Sequence, residues 1–226
     1  MEFESSYDPS FSLVRFPAHV ADDPELRQNY REMAFQLSNL QHPHIIKLQE
    51  LLVEDCLVVE ALKGAHPLTD VPSDPLPLAT SLLSALEYAH ANGIPHRLLN
   101  CHCLWLFPEN IVKIWGFGLD YLEERYGPSA RYEVSPTAPY WSPEHCQNQH
   151  PDERSDIWSL GVVFYRWSTG QLPFSSNSLP VLVDRILHYH PPEPGGPLND
   201  LILRCLEKDP ANRFQSVSEL SSYLSH

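Results

Sequence analysis

The tightest group of chemically versatile side chains is Cys101-His102-Cys103, and thiolate and imidazole are the ligands zinc prefers. Its spacing is too tight for a zinc knuckle. The other candidate ligands, His96 and the distant pair His145-Cys146, do not complete one, so no metal is expected. The five cysteines (Cys56, Cys101, Cys103, Cys146 and Cys205) are odd in number and mostly scattered, which predicts free, buried thiols rather than a disulfide framework. Twelve histidines could serve pH sensing, but most are expected to be solvated or structural. Carboxylate pairs for hydrolysis and a Ser-His-Asp arrangement have no supporting spacing. Gly116-Phe117-Gly118 opens like a dinucleotide-binding motif, yet no third glycine follows at the needed offset.

The chain that must position these residues has 226 residues, of which 42% are hydrophobic and 11% aromatic, enough for a packed core in one large domain or two small lobes. Acids outnumber bases 29 to 15, giving a net charge of −14. That excess disfavours a nucleic-acid partner, which needs clustered Lys and Arg. The longest apolar runs fall far short of the roughly 20 residues that span a bilayer. The start Met-Glu-Phe-Glu-Ser-Ser lacks the basic and apolar regions of a secretory signal, so a cytoplasmic protein without membrane insertion is expected. The first of the nine glycines is Gly64.

Residues 11–16 read as a strand closed by Pro17. Asp22-Asp23-Pro24 reads as a helix start, continued to about residue 40 by Tyr30, Met33, Ala34, Leu37 and Leu40 at helical spacing. The apolar runs 45–53 and 56–62 predict a strand hairpin. Residues 64–77, rich in proline and turn formers, read as a hinge and linker. Beyond it, helices are expected over 78–92, 156–169, 179–188, 198–208 and 217–224, with short strands at 104–107 and 111–115. A loop of about 25 residues follows the second of these strands, a length that usually signals function.

These elements and their wording resemble the eukaryotic-type protein kinase fold over nearly the whole chain. Residues 85–97 (ALEYAHANGIPHR) resemble the approach to the kinase His-Arg-Asp loop, and YWSPE at 140–144 resembles the Ala-Pro-Glu motif. SDIWSLG at 155–161 and CLEKDPANR at 205–213 are similar to the start of the central helix and to the helix carrying its buried arginine. The resemblance implies an α+β, bilobal fold: a small, truncated β-rich N-lobe with one helix at 1–63, the hinge at 64–77, and a mainly α-helical C-lobe at 78–226.

Against that template several chemical parts are replaced. No glycine-rich phosphate cradle can form ahead of Gly64, since only residues without Cβ let backbone amides approach phosphates so closely. The first two strands are expected to be missing, leaving the edge of the third exposed. The lysine position falls on Val14 or Arg15, and its glutamate partner on Met33, in the register that also puts Leu37 in the apolar spine, rather than on Glu32 one position away. Residues 96–103 align to His-Arg-Asp-Leu-Lys-Pro-Glu-Asn, so Leu98 stands for the catalytic base, Asn100 for the lysine and Cys103 for a metal-binding asparagine. Gly116 stands for the metal-binding aspartate of Asp-Phe-Gly. Trp105 falls beneath the adenine position and Trp115 precedes the altered motif, so two indoles are expected to fill the pocket.

Retained parts are architectural: His96 and Phe117 in the spine, Arg97 as the usual phosphate partner, Asp156 holding the His96-Arg97 turn, Glu144 paired with Arg213, and Trp158 and Gly161 packing the central helix. Within 120–137 the hydroxyls of Tyr121, Tyr126, Ser129, Tyr132, Ser135 and Thr137 lie where the family is regulated by phosphorylation, with Ser135 and Thr137 the candidate sites. The expectation is a catalytically inactive kinase-like scaffold or allosteric regulator with no cofactor and no nucleotide. Its unidentified protein partners would meet the exposed strand edge or the Pro-rich stretches at 64–77 and 191–197. The alternative is a divergent active Ser/Thr kinase or ATP-binding transferase with Asn100, Arg15 or an acid such as Asp120 in moved roles.

Overall fold

Strand β2 (Phe11–Arg15) buries Val14 and exposes Arg15, the alternation of a strand with one face on a core. It belongs to a computed structural model that describes residues 3–5, 10–16, 20, 22–52, 56–119 and 134–224. β2 lies in an antiparallel sheet with β1 (Phe3–Ser5), β3 (Leu48–Leu52) and β4 (Cys56–Glu60), in the order β1-β2-β4-β3. The expected bare edge of β2 is corrected here: β1 pairs along it, Phe3 opposite Val14 and Ser5 opposite Ser12. The hairpin of β3 and β4 is present, but β3 starts at Leu48 rather than residue 45. The residues ahead of it are drawn elsewhere, Ile46 N–H donating to Ile114 O at 2.9 Å and Ile114 N–H to His44 O at 2.9 Å.

Helix α1 (Pro24–Ser38) starts where the sequence places its cap. Asp23 Oδ1 accepts from the N–H groups of Glu25 (2.9 Å) and Leu26 (3.0 Å), satisfying two orphan donors, while Pro24 occupies the first turn. Leu26, Tyr30, Ala34 and Leu37 form the buried stripe facing the sheet.

Helix α2 (Pro75–Ala91) begins three residues before residue 78 because proline costs nothing where the N–H has no helical partner. The segment expected as a plain linker carries β5 (His66–Pro67), which joins β6 (Leu104–Phe107) and β7 (Ile111–Ile114) in a second antiparallel sheet. Then follow α3 (Pro143–Cys146), α4 (Glu153–Thr169), α5 (Leu179–His188), α6 (Asn199–Cys205) and α7 (Val217–Leu224). The fold is α+β: a small sheet lobe with α1, and a mainly helical lobe.

Helix α4 is the axis of the helical lobe and is buried nearly along its length. Gly161 lets α6 come close, since a Cβ there would lie 2.6 Å from Cys205 Cβ. Trp158 stacks on Phe174 with centroids 5.8 Å apart, and Lys208 Nζ lies 4.9 Å and 4.2 Å from the two ring centroids. Burial, then the charge of Arg213, brings the Lys208 pKa down to about 8. Among the described residues no helix is long and apolar enough to cross a membrane. Asp120, Tyr121, Tyr126, Ser129 and Tyr132 lie outside the described residues.

Candidate active site

The loop at 96–103 is held from beneath by Asp156, which is fully buried in the first turn of α4. Its Oδ2 accepts from His96 N–H and its Oδ1 from Arg97 N–H, both at 2.7 Å. These bonds fix Arg97 at φ +70°, a left-handed conformation that L side chains rarely adopt. His90 Nε2 donates to the same Oδ2 at 2.8 Å. Burial opposes a charge on His90, but the hydrogen bond and charge of Asp156, aided by Glu153 and Asp152, outweigh it and raise the pKa. His96 is wholly buried, and burial lowers its pKa, so the neutral ring donates from Nε2 to Trp115 O at 2.9 Å. Its ring lies 4.8 Å from that of Phe117, and Gly118 N–H donates to His96 O at 3.0 Å. Asp156, His96, Arg97 and Phe117 thus lock two loops together.

The altered positions sit on that frame. Leu98 is buried, its alkyl chain offering neither a proton acceptor nor a donor. Asn100 is buried as well: its Nδ2 donates to Leu98 O at 2.8 Å and its Oδ1 accepts from His102 N–H at 2.8 Å. The Cys103 thiol accepts from Asn100 N–H at 3.2 Å and donates to Asn100 O at 2.9 Å. Asn100 and Cys103 therefore cap a short 3₁₀ turn reciprocally, as Ser and Glu do at a helix start. Cys101 and Cys103 are buried and His102 is exposed. Gly116 has φ +97°, where glycine is at ease and a side chain is strained.

From the sheet lobe, Met33 of α1 packs on the Gly116–Gly118 turn, so close that a Cβ on Gly118 would lie 2.7 Å from Met33 Cε. Glu32 is exposed and accepts from Gln28 Nε2 at 2.8 Å. Val14 is in the core and Arg15 is exposed at the end of β2, paired in register with Cys56. Trp115 is buried, whereas Trp105 is half-buried on β6, opposite Lys113 of β7 and Pro67 of β5. Lys113 Nζ reaches across to Glu60 Oε2 at 2.5 Å, tying β7 to the end of β4.

Below the loop, Glu144 of α3 meets Arg213 in a bidentate pair, Nη1 to Oε1 at 2.8 Å and Nη2 to Oε2 at 2.9 Å. Arg213 also donates to the carbonyls of Arg154, Glu207 and Lys208, using all five donors. Ser155 Oγ donates to Glu144 Oε1 at 2.6 Å. Burial raises the Glu144 pKa, but Arg213 and Ser155 more than offset this and hold it below its ordinary value. Ser135 Oγ and Thr137 Oγ1 share a hydrogen bond of 2.7 Å. One cluster was not anticipated. Arg166 Nη1 donates to the buried Tyr140 hydroxyl at 3.1 Å and Nη2 to Thr69 O at 2.7 Å, with the Cys101 thiol beside both. Its one sequence signal is an arginine breaking the apolar run of α4.

The family model described as "Protein kinase domain" matches residues 15–224. A probable serine/threonine-protein kinase of Clostridium perfringens is 30% identical over 220 residues, covering 88% of this chain and 32% of that protein. The serine/threonine-protein kinase PknB of Mycobacterium leprae is 28% identical over 231 residues, covering 92% and 37%, and PrkC of Bacillus subtilis is 26% identical over 232, covering 94% and 35%. The chain thus spans roughly a third of the length of these relatives. These relatives overturn the expectation of an inactive scaffold that binds no nucleotide. They are named as kinases and favour the alternative, a divergent active enzyme. Substitutions at Leu98, Cys103 and Gly116 remove groups from their usual places, which does not show that the reaction is lost. Spanning both lobes from the end of β2 to the end of α7, the match establishes that this chain belongs to the protein kinase domain family.

Proposed function

We propose that the chain is the kinase domain of a divergent serine/threonine protein kinase, transferring a phosphoryl group from ATP to a protein hydroxyl with relocated catalytic groups. The observation that carries this reading is the kinase match over residues 15–224, together with the kinase names of the relatives. The usual metal positions do not fit a hard, oxygen-seeking cation, since Gly116 has no side chain and the Cys103 thiol is engaged with Asn100. No step is therefore assigned to a metal there. Asn100 shapes the loop through its own backbone bonds, and Arg15 is the cation proposed to meet phosphate oxygens. Asp120, four residues beyond Gly116 in sequence, is the proposed base for the substrate hydroxyl's proton.

The reading keeps the division into 1–63, 64–77 and 78–226, and places the domain in the reducing cytoplasm, which its free thiols suit. Its partners are protein substrates rather than nucleic acid. Asp120→Asn should lower phosphate incorporation into a general Ser/Thr substrate such as casein by about 100-fold or more, the usual contribution of a positioned base. Unchanged incorporation would remove Asp120 from that role.

A further inference from the structure

Arg166 is a cation of the site with donors to spare. It lies half-buried in α4 between buried Tyr165 and Trp167, in a chain of net charge −14. Its bonds to the Tyr140 hydroxyl and Thr69 O hold the guanidinium plane, and even with the Cys101 thiol as a third neighbour they leave part of its five donors unspent. Among the described residues none of its neighbours within the site neutralises it. Burial, then Cys101, holds the proton on Tyr140. Burial does the same for the Cys101 thiol, and burial followed by the Arg166 charge keeps His102 from charging. The acid it senses is Asp70, which is exposed and makes no ion pair with it among the described residues.

The place matters as much as the charge. Cys101 and His102 directly follow Leu98–Asn100, and Tyr140 closes the turn after Ser135 and Thr137, so Arg166 stands where these two segments meet. Through Cys101 and Tyr140 it stands within bonding reach of the 98–103 loop. We propose that Arg166 is a specificity residue that recognises an aspartate or glutamate of the polypeptide substrate. The proposal rests on the kinase reading for what is done to that polypeptide. A planar guanidinium already fixed by two bonds accepts a carboxylate in bidentate geometry with little further loss of freedom. The net negative charge of the chain repels an acidic peptide, but beyond about 8 Å that field is screened at physiological salt, whereas the contact is not. Asp70 competes weakly for the same cation.

The test is fluorescence anisotropy with the full chain in about 0.15 M salt. The probes are a short labelled serine peptide carrying glutamates and its counterpart with glutamines in their place. The glutamate peptide should bind about tenfold more tightly, the scale of one charge-assisted bond. Arg166→Gln should erase that ratio. Asp70→Asn, an exposed change outside the Arg166 bonds, should enlarge it, so the proposal remains testable even if Arg166→Gln fails to fold. Equal binding of the two peptides, binding of neither, or a ratio untouched by both variants would overturn it. Because binding is read without turnover, a failure of phosphate transfer would count against the kinase reading and leave this ratio to decide the proposal on its own.

Discussion

Arg213→Ala should lower the unfolding free energy by about 3–5 kcal/mol, the scale of a buried ion pair broken on one side. The side chain is fully buried and spends five donors on one carboxylate and three carbonyls, so its loss strands Glu144 and those carbonyls together. The pair itself is not the source of that figure. Replacing both partners by apolar residues of similar volume, Glu144→Leu with Arg213→Met, should cost much less, because no buried charge is then left over. The pH sign follows from Glu144. Its folded pKa lies below the ordinary 4.5, so its contribution is present above that value and fades as pH falls through the folded pKa. Urea unfolding at pH 7 and at pH 3.5 should show the deficit of Arg213→Ala shrinking at the lower pH. An equal deficit at both would separate the effect from the ion pair.

Asp156→Asn should be the next most damaging change. The carboxylate is buried and accepts from two backbone N–H groups and from His90. An amide in its place turns an NH₂ toward donors, leaving at least one of them unsatisfied, at about 1–3 kcal/mol for each. Arg97 would also lose what holds its left-handed backbone, so hydrogen exchange at 96–98 should quicken before global unfolding. His90 gives the pH signature. Its folded pKa is raised above 6.5, so its contribution is full below that value and is lost as pH rises through the folded pKa. Asp156 also raises the pKa of His96 against a larger burial effect, which adds the same sign to the wild-type advantage. The gap between wild type and Asp156→Asn should therefore be wider at pH 6 than at pH 8.5. A gap constant across that range would exclude the His90 contribution.

Where a single element explains its own residues, the sequence was readable. Asp23-Pro24 starts α1, and α5 and α7 span the residues their periodicity predicts. Where distant segments compete, it was not. Ile45 and Ile46 look like the start of β3, yet their backbone is taken by β7, a pairing across some 70 residues that no local pattern shows. β1 went unseen because three residues carry no period. At the site, Asp156, Glu144 and Arg213 were legible through their wording, because buried charges tolerate few arrangements. The contact of Arg166 with Tyr140 and Thr69 joins parts of the chain far apart in sequence and was not. Function is the least legible level for another reason: a motif position does not by itself fix a chemical role, because a role can move to a group elsewhere.

Incorporation of radiolabelled phosphate from ATP into casein, by the wild-type chain and by a Leu98→Asp, Gly116→Asp double variant, tests the central claim most directly. The divergent-kinase account predicts transfer by the wild-type chain, with both positions as they stand. Transfer confined to the double variant, or by neither protein, would contradict it.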